Sequence, residues 1–186
     1  MIENQIPNEW NEVLATVQSV FPLAVIAGGA LRDLDYDKSV KDIDIFIPIS
    51  CSPDNMFDHH IHRLFEGKDI TMVNASVYGQ TLTKEFDRLI YAVYDLKLDG
   101  KMYNLIITND QGNDITTFDF SICQISWNGK TIVTTEAYDE TKSNKIIKLM
   151  TTKQSAERVA GREGRLKEKF PDYEFDTSLL RSFDVV

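Results

Sequence analysis

Two aspartates separated by one residue, Asp42 and Asp44, stand at the head of the apolar run DIDIFIPI. In a strand both carboxylates would project from one face of the sheet, while Ile43 packs into the core from the other face. Two carboxylates about 6 to 7 Å apart repel each other, and a divalent cation is the usual means of keeping both ionised. The pair therefore favours a Mg²⁺ or Mn²⁺ site, although an isolated Asp-x-Asp is more often a solvated strand edge.

A Gly-Gly pair, Gly28 and Gly29, lies thirteen residues upstream, directly after the apolar run LAVIA. Glycines between a buried strand and a helix let the backbone approach a ligand closely, and the free amides there can bind an anion such as a triphosphate. A β-branched residue at Gly29 would obstruct that approach and resist a positive φ. Together, the turn and the aspartates supply one site for phosphates and one for a metal.

The spacing of apolar residues predicts the elements that hold these groups. NEWNEVLATVQSVF has helical periodicity, LAVIA is typical of a buried strand, GGALRDL begins a second helix and IDIFIPI is a strand. A third helix is expected to start with Ser52 as its N-cap and Pro53 at its first position, and to end just before Gly67. DITMVNASVYG is then expected to be a strand that runs into a loop.

The second half of the chain is expected to begin with hairpins and to end in helix. Asp99-Gly100 and Asn128-Gly129 each indicate a β-hairpin, and from about Thr141 the pattern is helical. We therefore expect one α+β domain over residues 1–140, followed by a basic helical C-terminal appendage over residues 141–186.

Composition excludes several classes of protein. With 186 residues, 42% hydrophobic and 26% charged, the chain is long enough for one domain with a proper core. No apolar run could span a membrane and the N-terminus lacks a signal-peptide pattern, so we expect a cytoplasmic protein with no membrane partner. Cys51 and Cys123 fit reduced, packed thiols. The histidines of HHIH, residues 59–62, fit a partly exposed helix better than a zinc site.

The net charge of −9 is unevenly distributed. Residues 1–141 carry 10 Lys and Arg against 22 Asp and Glu, whereas residues 142–169 carry 9 basic against 3 acidic residues. A basic segment on an acidic body is a candidate surface for a polyanion, and pairing with the acidic body is the alternative. Helical spacing places four basic side chains on one stripe: Arg158, Arg162, Arg165 and Lys169.

GGALRD, followed after eight residues by DID and an apolar strand, resembles the catalytic head of the DNA polymerase β-like nucleotidyltransferase superfamily. The branch that it resembles most is that of bacterial poly(A) polymerases and tRNA CCA-adding enzymes. FDFSICQI, residues 118–125, is similar to the second motif of that branch, and ERVAGREGRLKEKF, residues 157–170, is similar to its arginine-bearing helix. Small phage-encoded proteins with a stand-alone head of this type look like the nearest relatives.

The resemblance implies a mixed sheet flanked by helices and the transfer of a nucleoside monophosphate from a nucleoside triphosphate to an acceptor hydroxyl, with release of pyrophosphate. It implies that Asp42 and Asp44 hold the metal and that Asp119 belongs to the catalytic site. The residues that it implies for nucleotide or acceptor contact are Gly28, Gly29, Arg32, Asp33, Arg158, Arg162 and Arg165. An ion pair between Arg32 and Asp33 that fixes the helix start, and capping or pairing by Asp119, are the structural alternatives.

Two positions depart from the family pattern. Phe118 stands where the family usually has an arginine, and Asn104 stands where a third metal carboxylate commonly lies. An amide can coordinate Mg²⁺ but brings no charge, and the hard cation favours carboxylates. Asp119 or Asp95 could supply the third carboxylate, and a site with two carboxylates is the alternative.

The expected partners are a nucleoside triphosphate and the 3′ end of an RNA or tRNA, with a protein acceptor as the alternative. The neck, body and tail that select nucleotides and hold tRNA in the full-length enzymes are expected to be absent. A hypothesis of a different class follows from the departures at Asn104 and Phe118. It is a catalytically inactive head kept as a binding module that modulates a host or partner protein.

Overall fold

The central element of the fold is a sheet of seven strands, seen in a computed structural model that describes residues 2–52, 54, 56–73, 90–109, 114–151 and 156–181. The strands are β1 Val25–Ala27, β2 Asp42–Pro48, β3 Asp69–Val73, β4 Ile90–Leu98, β5 Lys101–Thr108, β6 Ile125–Trp127 and β7 Ile132–Thr134. Their order across the sheet is β3-β4-β5-β2-β1-β6-β7. Strands β2 and β5 pair in parallel, and the other neighbours are antiparallel.

Helices flank this sheet. They are α1 Asn8–Gln18, α2 Gly29–Asp35, α3 Phe57–Leu64, α4 Glu136–Asn144, α5 Ala156–Lys169 and α6 Ser178–Arg181. Two further strands, β8 Ile146–Lys148 and β9 Glu174–Asp176, form a separate parallel pair. Within the residues just given, no helix is long and apolar enough to cross a membrane.

Helix α1 packs on the sheet through the stripe that the sequence predicts. Trp10, Leu14 and Val17 are buried, and Phe21 is buried just after the helix ends. These side chains share one hydrophobic core with Ile45 of β2 and with buried residues of β5 and α3. The amphipathic helix, the strands β1 and β2 and the second helix are thus confirmed.

Both predicted hairpins form, but their turns differ. Asp99 and Gly100 both have positive φ, 48° and 79°, as a two-residue turn with the twist of a hairpin requires. The connection from β6 to β7 is longer, because the Asn128 side chain accepts hydrogen bonds from the amides of Lys130 and Thr131. In that turn Gly129 has positive φ.

Helix α3 begins later than predicted. Its N-cap is Met56, and Ser52 instead lies in extended backbone. The cause is Asp54, whose carboxylate accepts the Met56 amide at 3.0 Å and so turns the chain before the helix starts. The expected N-cap at Ser52 is therefore wrong, and Pro53 lies outside the described residues. Gly67, with φ of 75°, follows the helix as predicted.

Strand β3 forms where it was predicted, and the loop expected after it lies outside the described residues. The C-terminal segment is more varied than a helical appendage. Helix α4 already begins at Glu136, because the Thr135 side chain caps it by accepting the Tyr138 amide. The boundary expected between residues 140 and 141 therefore falls within α4.

Beyond α4 the chain continues through β8, α5, β9 and α6 in that order. Apolar residues of this segment pack on the residues just before β6 and form a second buried cluster: Phe120, Ile122, Cys123, Ile147, Leu149, Val159, Leu166 and Phe170. This packing holds α5 beside the sheet.

Candidate active site

Strand β2 places Asp42 and Asp44 on the face of the sheet opposite its buried isoleucines. Both aspartates are partly exposed, whereas Ile43 is 2% exposed. We call this side of the sheet the polar face. It is defined by Asp42, Asp44 and their neighbours Asn104 and Asp95, which follow across β5 and β4 in register. The geometry expected of the Asp-x-Asp pair is therefore present.

Asn104, which stands where the resembled family commonly has a third metal carboxylate, is a hydrogen-bond donor to Asp44. Its Nδ2 donates to Asp44 Oδ1 at 2.8 Å. Burial raises the pKa of Asp44 to about 6, and the charge of Asp42 adds to that rise, while the Asn104 hydrogen bond opposes it. A nearby cation would therefore stabilise the ionised form of the Asp44 carboxylate.

The donor set suits a hard cation. Mg²⁺ is commonly bound by one or two carboxylates together with substrate phosphates, and Asp42 with Asp44 would supply the two. Among the residues that the structure describes, no group of three or more His, Cys, Asp or Glu side chains could hold a metal. On β4, burial raises the pKa of Asp95, and the charge of Asp42 raises it further.

The glycine turn is built differently from the expectation. Gly28 has φ of 78° and ψ of −127°, a conformation almost restricted to glycine, and α2 starts at Gly29. The glycine of this turn with a positive φ is therefore Gly28, and the prediction of a positive φ at Gly29 was wrong. The Gly28 amide donates to the Ile125 carbonyl at 2.9 Å, which ties the turn to β6. A Cβ at Gly29 would meet Arg32 Nη2 at 3.6 Å, an ordinary contact.

Arg32 and Asp33 form the ion pair that was the structural alternative. Arg32 Nη2 lies 2.6 Å from Asp33 Oδ1, and Arg32 Nη1 donates to Cys123 Sγ at 3.2 Å. Lys169, at the end of α5, donates to the other Asp33 oxygen at 2.5 Å. Asp33 is 3% exposed and joins α2 to α5. Contact of Arg32 or Asp33 with a nucleotide stays a prediction.

Asp119 is paired with Arg162. Arg162 Nε lies 2.6 Å from Asp119 Oδ2, and Asp119 is 6% exposed. Burial opposes the charge of the guanidinium, but the Asp119 carboxylate keeps the pKa of Arg162 above its ordinary value. This pair connects α5 to the segment before β6.

The basic stripe of α5 divides among three surroundings. Arg158 and Arg162 line a cavity, Lys169 pairs with Asp33, and Arg165 is exposed. Some basic side chains of α5 thus pair with the acidic body, as one interpretation expects. Arg165 instead faces solvent, as a surface for a polyanion would require. A polyanion could contact this exposed side chain.

One cavity, which we call the cleft, brings together residues from distant parts of the chain. Six of the predicted residues line it: Gly28, Gly29, Asp44, Asp119, Arg158 and Arg162. Asp42, Arg32, Asp33 and Arg165 do not line it.

Seven further lining residues were not predicted as members of the site: Ala27, Phe46, Ile90, Thr108, Thr117, Phe118 and Cys123. Strand alternation could have found Phe46, which is two residues after Asp44 and on the same face. Thr108 depends on the pairing of β5 with β2, which no local signal gives.

No protein-family model and no curated protein sequence matches this chain. Solved structures do match it. A CCA-adding enzyme in complex with ATP is 14% identical, with a TM-score of 0.66, and the match covers 97% of this chain and 43% of that one. A tRNA-processing enzyme in an apo form is 16% identical, with a TM-score of 0.61 and coverage of 93% and 45%.

The Thermotoga maritima CCA-adding enzyme in complex with tRNA is also 16% identical, with a TM-score of 0.61 and coverage of 93% and 40%. The chain therefore spans less than half of the length of these proteins. What the similarity shows is the fold. The expected mixed sheet flanked by helices is confirmed, and its fold is similar to that of the CCA-adding enzymes.

Proposed function

We propose that this protein is a metal-dependent nucleotidyltransferase that transfers a nucleoside monophosphate from a nucleoside triphosphate to the 3′ hydroxyl of an RNA. One observation carries the proposal. The cleft joins the glycine turn, the Asp44 carboxylate and the Asp119–Arg162 pair, which are far apart in the sequence, within a fold shared with CCA-adding enzymes. These are the groups that binding of a triphosphate and a cation would need.

In this proposal the β and γ phosphates lie against Gly28 and Gly29, near the positive charge of Arg162. Mg²⁺ or Mn²⁺ held by Asp42 and Asp44 would activate the acceptor hydroxyl and neutralise the leaving group. The hydroxyl oxygen bonds to the α-phosphorus, the bond from that phosphorus to the bridging oxygen breaks, and pyrophosphate leaves. The proton of the hydroxyl passes to solvent.

An RNA acceptor is supported by two observations. Solved structures with this fold include a tRNA nucleotidyltransferase in complex with a primer tRNA and an ATP analogue. Arg165 on α5 is exposed and could contact a phosphate backbone. A protein acceptor has no support from the comparisons. The cytoplasmic location and the phage-type origin stay predictions.

Labelled substrates test the proposal directly. Wild-type protein would be incubated with Mg²⁺ or Mn²⁺, total cellular RNA and protein, and each of the four triphosphates labelled at the α-phosphate. We expect label in RNA, accompanied by pyrophosphate. The matched controls are Asp44→Asn, which should abolish both signals, and Asp99→Asn in the β4–β5 turn, which should keep them. Absence of label from RNA, protein and small molecules, without pyrophosphate, would contradict the proposal.

A second function is favoured by the two departures from the family pattern. Asn104 donates to Asp44 and brings no charge, and the Phe118 ring packs against Gly28 in place of an arginine. A head with these changes could bind a nucleotide without transferring it and so modulate a partner protein. Binding of Mg²⁺ and ATP by calorimetry, together with no transfer to any acceptor, would favour this function.

A further inference from the structure

The cleft extends well beyond the groups that the proposed function uses. Its lining runs along the polar face from Asp44 to Thr108. Asp44 lies opposite Asn104 on β5, and Thr108 is four residues further along that strand. At about 3.3 Å per residue the two ends are roughly 13 Å apart. The far end of the cleft therefore needs its own explanation.

An aromatic wall separates the two ends. The rings of Phe46 and Phe118 lie 5.2 Å apart, centroid to centroid, and are tilted by 43°. The Phe118 ring also approaches the glycine turn, because a Cβ placed on Gly28 would meet its Cε2 at 3.2 Å. Ile90 of β4 continues the apolar surface. The wall thus begins where the triphosphate is proposed to end.

Thr108 lies at the far end and is 0% exposed. Its hydroxyl oxygen has no hydrogen-bond partner in the part of the chain that the structure describes. Leaving such a group unsatisfied costs about 1 to 3 kcal/mol, and most buried polar groups in proteins are paired. Thr108 lines the cavity, and a threonine hydroxyl can act toward a ligand as both donor and acceptor.

The chemistry of this end suits one class of ligand. The aromatic wall and the Thr108 hydroxyl bring no charge of their own, so these groups would not favour a phosphate or a metal ion. A planar, largely apolar ring with a polar edge can pack on phenyl rings and hydrogen-bond to a hydroxyl. A nucleobase is such a ring, and the reaction proposed above supplies nucleobases on both of its substrates.

We propose that Phe46, Phe118 and Thr108 form a nucleobase subsite in the cleft. The inference rests on the proposed function, since it places the base beside the triphosphate site. The base belongs either to the incoming triphosphate or to the terminal nucleotide of the acceptor, and the experiment separates these two sources. Thr108 bonds the polar edge of the base, and the aromatic wall packs against its face.

The first arm compares two ligands that differ by the nucleoside. Calorimetry with Mg²⁺ and without RNA would measure the affinity of ATP and of inorganic tripolyphosphate. If the base in the subsite belongs to the triphosphate, Thr108→Val should lower ATP affinity about 5- to 10-fold, the effect of one lost hydrogen bond, and leave tripolyphosphate affinity unchanged. Thr108→Ser keeps the hydroxyl and should retain ATP affinity. Phe46→Leu should also weaken ATP selectively, by about 5-fold or more.

The second arm uses a short RNA with its 3′-terminal base and the same RNA without that base. If the base in the subsite belongs to the acceptor, Thr108→Val lowers the affinity of the intact RNA alone, and the ratio of ATP to tripolyphosphate affinity stays at the wild-type value. Folding of the variant is checked by its thermal midpoint. It should equal or exceed that of wild type, because the change removes an unsatisfied hydroxyl.

The outcomes separate this inference from the proposed function. Binding of tripolyphosphate with no effect of Thr108→Val or Phe46→Leu in either arm overturns the subsite alone. Failure of both ATP and tripolyphosphate to bind wild-type protein overturns the phosphate site and the subsite with it. Equal loss of ATP and tripolyphosphate affinity in Thr108→Val, whose hydroxyl is assigned to the base alone, would also overturn the subsite.

Discussion

The two faces of strands β2 and β5 differ in what their side chains can tolerate. On one face Ile45, Leu105 and Ile107 are 0% exposed and belong to the core under α1 and α3. On the polar face the same strands carry Asp44, whose pKa burial raises to about 6, and Thr108, whose hydroxyl is buried without a partner among the described residues. The first face is satisfied by its own packing.

The polar face holds groups whose burial or mutual repulsion costs the folded protein free energy. Two carboxylates on one strand repel each other, and a buried hydroxyl without a partner loses its hydrogen bond to water. A cation and a nucleotide would relieve both costs. We therefore expect stability to depend on the apolar face and the proposed function on the polar face, so substitutions on the two faces should change different quantities.

Asp44→Asn should have the largest effect on activity. We expect transfer to fall by about 100-fold or more, because the variant lacks a charge that would hold the metal. The fold should be retained and the thermal midpoint should be unchanged or higher, since one of two repelling charges is removed. Asp42→Asn should behave alike. A rate above about a tenth of wild type, or unfolding of either variant, would count against the assignment.

Ile45→Ala should lower stability and leave activity nearly unchanged, the opposite of Asp44→Asn. A fully buried side chain is truncated, so the free energy of unfolding should fall by about 2 to 5 kcal/mol. Activity per folded molecule, measured at a temperature where the variant stays folded, should remain within a few-fold of wild type. A selective loss of activity without loss of stability would mean that the two faces are not separated in this way.

Two arginines of α5, Arg162 and Arg165, sharpen the comparison. Arg162→Ala leaves Asp119 buried without its partner and should destabilise the fold by about 1 to 3 kcal/mol. Arg165→Ala removes an exposed side chain and should change stability by less than about 0.5 kcal/mol. If Arg165 contacts RNA, its loss should also flatten the log-log dependence of binding on salt by roughly 0.7 to 0.9. If Arg165→Ala binds RNA with the same salt dependence as wild type, Arg165 does not contact the acceptor.

The smallest effect concerns pH. The folded-state pKa of Asp44, about 6, is above its ordinary value, so the folded protein binds this proton more tightly than the unfolded chain. The resulting stability is present below about pH 4 and is lost as pH rises through about 6. The thermal midpoint of Asp44→Asn relative to wild type should therefore be higher at pH 7.5 than at pH 5.

Mg²⁺ should reverse that difference. At pH 7.5 the ion should raise the midpoint of wild type, because it binds the ionised carboxylate, and the effect should fade below about pH 6 as protons compete. Asp44→Asn should show little response to Mg²⁺ at either pH. Identical midpoints for the two proteins across this range, with and without Mg²⁺, would mean that Asp44 neither has a raised pKa nor meets the ion.

Local pattern predicted much of the fold and part of the site. Alternation in DIDIFIPI gave the two faces of β2, and helical spacing gave α1, because each signal lies within one element. The cap at Ser52 failed since Asp54 offers a competing turn. The sequence did not predict strands β8 and β9, or that Thr108 lines the cleft. Both features depend on pairing between residues that are distant in sequence.

The most direct test of the central claim is pyrophosphate release with a defined acceptor. Wild type, Asp44→Asn and Asp99→Asn would be compared with ATP, Mg²⁺ and an RNA that ends in a free 3′ hydroxyl, and again with the same RNA blocked at that hydroxyl. The account predicts release by wild type and Asp99→Asn with the free end alone, and none by Asp44→Asn. Equal release by Asp44→Asn, or release that ignores the blocked end, would contradict transfer at the polar face.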